Sequence, residues 1–169
     1  MNFAELIKSE VAPVKAAVDS MSSRIRVAMP GIIKSFDVKT QTASVQPALR
    51  ERINLKGVLS WVDLPLLPDV PVILFRAKDY VLTFPISEGD ECLLVFGDMC
   101  IDAWWQSGDV QNQVEKRRHD LSDAFAIVGL WSQPRVIEDY SEDTVQLRNE
   151  DGTTYVELDS DGETINVVS

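Results

Sequence analysis

The residues able to do chemistry gather in one polar stretch, Lys116-Arg117-Arg118-His119-Asp120-Leu121-Ser122-Asp123. His119 is the only histidine among the 169 residues. A histidine, a serine and two aspartates are the parts of a hydrolase triad. Yet sequence neighbours rarely converge in triad geometry, and no glycine elbow surrounds Ser122. A structural role fits better. Asp120 or Ser122 caps a short helical turn, Asp123 lies near its positive end, and Arg117 and Arg118 pair with these acids. Asp159-Ser-Asp161-Gly-Glu163 resembles a set of calcium ligands. It is shorter than a calcium loop of about twelve residues and lacks the spaced bidentate glutamate. No phosphate-cradling glycine loop occurs. Trp104-Trp105 suits stacking on bases or sugars, but packing in a core or interface is the commoner use of such a pair. No catalytic residue, cofactor or metal is therefore expected, nor an enzyme.

Composition narrows the rest. The chain is 45% hydrophobic, enough for one ordinary domain with appendages. Its net charge is −11 and its pI about 4.5, which disfavours binding nucleic acid by phosphate neutralisation. No run of about eighteen apolar residues could span a membrane, and residues 1–8 lack the pattern of a secretory signal. Cys92 and Cys100 both lie in apolar, strand-like runs. Buried free thiols are the expected state, although a hairpin between them would bring them face to face.

The elements that must carry these residues fall into three parts, 1–28, 29–137 and 138–169. In the first, Ile7, Val11, Val14, Val18, Met21 and Ile25 follow a 4-3-4-3-4 spacing over a helix interrupted near Pro13. The stripe fits a coiled coil, or an amphipathic helix lying on its own domain or on a neighbouring protein. In the second part the period changes to two. Strands are predicted over 31–37, 42–49, 72–75, 80–84, 91–96, 101–105 and 125–130. Residues 50–69 read as less regular, with extended chain through Pro65, Pro68 and Pro71, and 108–123 as a long polar loop. Short strands at this spacing predict a mainly β protein built on a small closed barrel.

The third part nearly repeats itself. Val145-Gln-Leu147 precedes Asp151-Gly152, Val156-Glu-Leu158 precedes Asp161-Gly162, and Ile165-Asn-Val167 follows. Alternation places Val145, Leu147, Val156, Leu158, Ile165 and Val167 on one face. The two Asp-Gly pairs predict turns at positive φ. So few strands have too little apolar face to stand alone in water. Packing on the preceding domain would cover them, and so would other copies of the chain. Between Glu138 and Ser169 there are ten acids and one base, Arg148, so this part carries −9 of the total −11. Such charge suits an exposed, soluble rod with guarded edges better than an inner layer.

Six segments in order resemble one family. They are Met29-Pro-Gly-Ile-Ile-Lys-Ser-Phe-Asp37 with Gln41-Thr-Ala-Ser-Val-Gln-Pro47, Leu67-Pro-Asp-Val-Pro-Val72, Phe84-Pro-Ile-Ser-Glu-Gly-Asp90, Ile101-Asp-Ala-Trp104, Arg118-His-Asp-Leu-Ser-Asp123 and Ile127-Val-Gly-Leu130. Together, over residues 29–134, they resemble the N-terminal domain of phage baseplate central spikes of the Gp138 type. The resemblance implies an OB-fold-like antiparallel barrel, a homotrimer, and a 138–169 segment that begins an intertwined three-chain β-helix. It implies a virion protein at the tip of a contractile tail, beneath the hub and tail tube, that pierces the host envelope and transiently meets its outer membrane. The six apolar tail residues would form the trimer seam. Ile7, Val11, Val14 and Val18, with Trp104 and Trp105, would be candidates for docking on the hub. Such spikes often end in a His-X-His metal site. No histidine follows His119, so no metal is expected from this chain; either a separate tip protein forms the point, or the sequence is incomplete. The alternative reading is an OB-fold protein that binds single-stranded nucleic acid through Trp104, Trp105, Arg117 and Arg118.

Overall fold

The computed structural model describes residues 13–18, 21 and 25–169. Two compact units divide the chain, Met1–Leu130 and Trp131–Ser169. Within the first, residues 13–18 and 21 are helical, with Val14, Val18 and Met21 exposed. Ile7 and Val11 lie outside the described residues.

Five strands close into a barrel: β1 (Ala28–Asp37), β2 (Thr42–Pro47), β5 (Leu67–Ile73), β9 (Ala124–Val128) and β8 (Glu91–Phe96), with β8 returning to β1. Between them lie two hairpins, β3–β4 (Arg50–Leu55 and Val58–Asp63) and β6–β7 (Phe75–Ala77 and Tyr80–Leu82). Four of the barrel's pairings are antiparallel, whereas β5 and β9 run parallel, Val72 beside Ala126 and Ile73 beside Ile127. The sequence reading expects an OB-fold-like antiparallel barrel, and this closed ring is antiparallel at all but one pairing. A ring with an odd number of strands cannot alternate direction all the way round, so five strands force at least one parallel pair.

The period-two alternation fills the interior. Met29, Gly31 and Ile33 point inward from β1, Ala43 and Val45 from β2, Cys92, Leu94 and Phe96 from β8, and Ala124 and Ala126 from β9. The β1–β2 register shifts between Ile33 and Ser35, and Phe36 then packs against the core in place of Ser35. An extra residue resets the alternation on β5 as well, where Asp69 takes φ 52° and lets Leu67 and Val70 both face inward. Small residues allow the large ones to meet across the barrel. A Cβ on Gly31 would lie 2.7 Å from Val45 Cγ1 and 3.0 Å from Leu94 Cδ1.

Two segments depart from the sequence expectation. Residues 50–63 are a regular hairpin rather than irregular chain, turned by Lys56 and Gly57 at φ 53° and 88°. Both positive angles suit a two-residue turn that matches strand twist. Asn54 Oδ1 accepts a bond from Gly57 N at 2.8 Å and steadies the turn. Residues 101–105 were expected as a strand but belong to a helix, α1 (Asp102–Ser107). A short apolar run reads the same in either period. The end signals decide for the helix: Asp102 sits in its first turn, and Gly108 at φ 68° closes it with a bond to Trp104 O. With no strand after Gly97-Asp98 there is no hairpin to join the cysteines. Both are free, and burial pushes the Cys92 thiol up to about 11.

The second unit is a three-stranded antiparallel sheet of β10 (Val145–Arg148), β11 (Tyr155–Asp159) and β12 (Thr164–Val168). Its turns lean on side chains as well as glycine. Asp151 Oδ1 accepts from Thr153 Oγ1 at 2.8 Å, and Asp159 Oδ1 accepts from Gly162 N at 2.9 Å. Gly152 has the expected positive φ, whereas in the second turn Glu163, at 51°, takes that role in place of Gly162.

The close approach of β1, β2 and β8 gives a direct test. Gly31→Val should lower unfolding stability by about 1–3 kcal/mol through overpacking against Val45 and Leu94. The shift of the urea midpoint measures it.

Candidate functional site

Asp123 ends the short 3-10 turn Leu121–Asp123 and is fully buried. Arg117 clamps it from two sides, Nε to Oδ2 at 2.7 Å and Nη2 to Oδ1 at 2.9 Å. The same Nη2 donates to Asp102 Oδ1 at 2.7 Å, and Nη1 donates to Glu115 at 3.0 Å. Ile101 N also donates to Asp123 Oδ1, at 2.9 Å, which ties the start of α1 to this carboxylate. Asp120 caps the turn by accepting from Ser122 N. The polar stretch thus takes the structural role expected of it. Arg118 goes elsewhere, to Asp98 at 2.8 Å. His119 Nε2 lies 3.3 Å from Asp98 Oδ1, and its Nδ1 lies 3.1 Å from Arg26 O, so both ring nitrogens have partners other than Ser122.

Cys100, Asp102 and Asp123 form the one group of metal-type ligands among the described residues. The Arg117 guanidinium already lies between the two carboxylates and supplies the positive charge there. It lowers the Asp102 carboxyl below its ordinary value, and the Ser122 backbone amide does the same for Asp120. Of the tryptophans on α1, Trp104 packs edge-on to Phe125 of β9 at 5.9 Å and beside Trp105 at 6.3 Å. Both indoles keep more than 40% of their surface exposed.

The tail sheet is the stronger candidate for interaction. Register pairs Val145 with Leu158 and Leu158 with Ile165, then Leu147 with Val156 and Val156 with Val167. Directly opposed residues share a face. All six predicted seam residues therefore form a grid two wide and three strands deep, and every one of them is 42–74% exposed. The reverse face is polar at its centre. Glu157 accepts from Gln146 Nε2 at 2.5 Å, Thr144 Oγ1 at 3.0 Å and Asn166 Nδ2 at 3.0 Å. These bonds, Gln146 first, hold the Glu157 carboxyl below its ordinary value. The sheet is thus inside out for a single chain, with its apolar side turned to water. This polar ladder was missed in the sequence, although Gln146, Glu157 and Asn166 stand at the centres of the three alternating strands.

Together these features define a closed five-stranded β-barrel protein with a separate, acidic, open-faced β-sheet. Residues 29–129, which span the barrel, match the family described as phage protein Gp138 N-terminal domain. The chain belongs to this family of phage proteins. Membership points to a phage structural protein carried in the virion. No curated protein matches the chain.

Two outcomes follow for the barrel. Arg117→Met leaves a buried carboxylate unpaired and should cost about 3–5 kcal/mol in chemical denaturation. A carboxyl lowered by folding adds stability above its unfolded value and loses it as pH falls through the folded value. Asp102 and Asp120 are both lowered from 3.8. Urea midpoints should therefore hold between pH 7 and 5 and drop below about pH 3.8.

Proposed function

We propose that this protein is the trimeric central spike of a contractile phage tail, or of a related tail-like particle, which seats on the baseplate hub and pierces the host envelope. The observation that carries this reading is the exposed grid of Val145, Leu147, Val156, Leu158, Ile165 and Val167. Three copies turning these faces toward a common axis would bury them and begin an intertwined β-helix. Family membership supplies the phage setting.

The proposed mechanism is mechanical. Contraction of the sheath drives the tube and its tip against the cell surface. A shaft under that load needs a continuous apolar seam and interchain backbone bonds, and none of the six grid positions carries a charge. The acids lie at turns and on the reverse face, where they would coat the shaft. The barrel would seat the shaft on the hub, with Val14, Val18 and Trp104 as exposed docking residues and Ile7 and Val11 as further candidates. Contact with the outer membrane would be transient. The nucleic-acid reading loses its cations, because Arg117 and Arg118 are both paired with acids.

Light scattering should give a solution mass three times that of the 18.9 kDa chain. Leu158→Asp should abolish the trimer, since three uncompensated charges would meet at the seam. Asn166→Ala, on the reverse face, should leave the trimer intact. A monomer at micromolar concentration, or a stable Leu158→Asp trimer, would count against the seam.

A further inference from the structure

A groove of about 670 Å³ opens on the barrel unit between the β6–β7 hairpin and α1. Val72 and Val81 give it an apolar lining, Tyr80 and Trp105 two aromatic rings, and Arg76 and Lys78 two cations. Its size falls within the range of ligand pockets. Arg26, Arg50, Arg117 and Arg118 each hold an acid, whereas Arg76 and Lys78 have no ion-pair partner among the described residues. Asp79 is the only acid lining the groove, which leaves it with a net charge of +1 on a chain of −11.

Such a lining suits an exposed segment with carboxylates on either side of an aromatic anchor. The chain contains one. Glu138-Asp139-Tyr140-Ser141-Glu142-Asp143 sets four acids around one tyrosine, outside any strand. Tyr140 is 73% exposed, and all four acids are exposed. Arg148, the one base between 138 and 169, turns to the backbone instead. Its Nη1 donates to Asp139 O at 2.6 Å and its Nη2 to Glu138 O at 3.0 Å. The start of the segment is thereby fastened, while its four carboxylates have no ion-pair partner among the described residues.

We propose that segment Glu138–Asp143 of one copy docks in the Arg76–Lys78 groove of a neighbouring copy, with Tyr140 against Tyr80 and Trp105 and the carboxylates facing the two cations. This rests on the trimer reading and adds to it a contact that ties each barrel to the next chain. A long polyanion such as nucleic acid is a poorer occupant, because the overall negative charge repels it beyond the groove.

Carbodiimide, which couples an ammonium to a carboxylate in contact, tests the contact on the full-length protein. The expected result is covalent oligomers on a denaturing gel. Peptide masses should join Lys78 to Glu138, Asp139, Glu142 or Asp143. Lys78→Arg, which keeps the charge and removes the amine, should eliminate those links. Light scattering on the same sample separates the two readings. A trimer with no such Lys78 link overturns the docking and leaves the trimer standing, and a monomer overturns both. A Lys78 link confined to the monomer-sized band is intrachain and overturns the proposal. So does protection of Lys78 by single-stranded oligothymidylate, which would assign the groove to nucleic acid.

Discussion

The cross-strand register of residues 145–168 is the constraint on which everything else turns. With Val145 opposite Leu158 and Leu147 opposite Val156, the six grid side chains are held on one face. A slip of one residue would turn the slipped strand over and send its two grid residues to the polar side. It would also break the three bonds that converge on Glu157. The polar ladder therefore does on one face what a core does elsewhere: it fixes the pairing. Once the pairing is fixed, the sheet has one unsatisfied surface. Rearrangement within the strands cannot relieve it.

The placement of the acids bears on whether so acidic a segment could associate. A net −9 over residues 138–169 would oppose close packing if the acids stood at the contact. They do not. Glu150, Asp151, Asp161 and Glu163 lie in or beside the turns, and Glu157 lies on the reverse face. The repulsion that remains acts between edges and between turns. There it discourages β10 and β12 from pairing with unrelated strands. The barrel has no such need, since closure leaves it without edges.

Elements whose two faces differ were legible in the sequence. The β1, β2, β8 and tail strands alternate cleanly, and each was placed within a few residues. The six tail positions were found because period two alone puts them together. The motif around Asp120 was read as a cap because its chemistry is local. What was not legible depended on distant parts of the chain. The 101–105 run became a helix because Asp123, far along the sequence, takes Ile101 N and Gly108 closes the last turn. The β3–β4 hairpin was hidden because Lys-Gly is a weaker turn signal than Asn-Gly, and because both of its faces mix polar with apolar residues. Arg117 could be assigned to neighbouring acids, yet its bridge to Asp102 needs α1, which the sequence did not reveal. The Arg76–Lys78 groove has no motif at all. A hairpin, a barrel strand and a helix each contribute to it.

The two units differ in how they can fold. The barrel buries Ile33, Val45, Cys92, Leu94 and Ala126 completely among its own residues, so its core owes nothing to another molecule. The tail strands have no comparable core, for none of their residues is buried. An isolated sheet of this size has little to set against the entropy of ordering its chain. If the grid is buried by sister copies, the stability of the tail is inseparable from chain concentration, whereas that of the barrel is not. Barrels would then form first and hold three tails at high local concentration. The tails would order as their faces met, and the strongest part of the shaft would be the last to form.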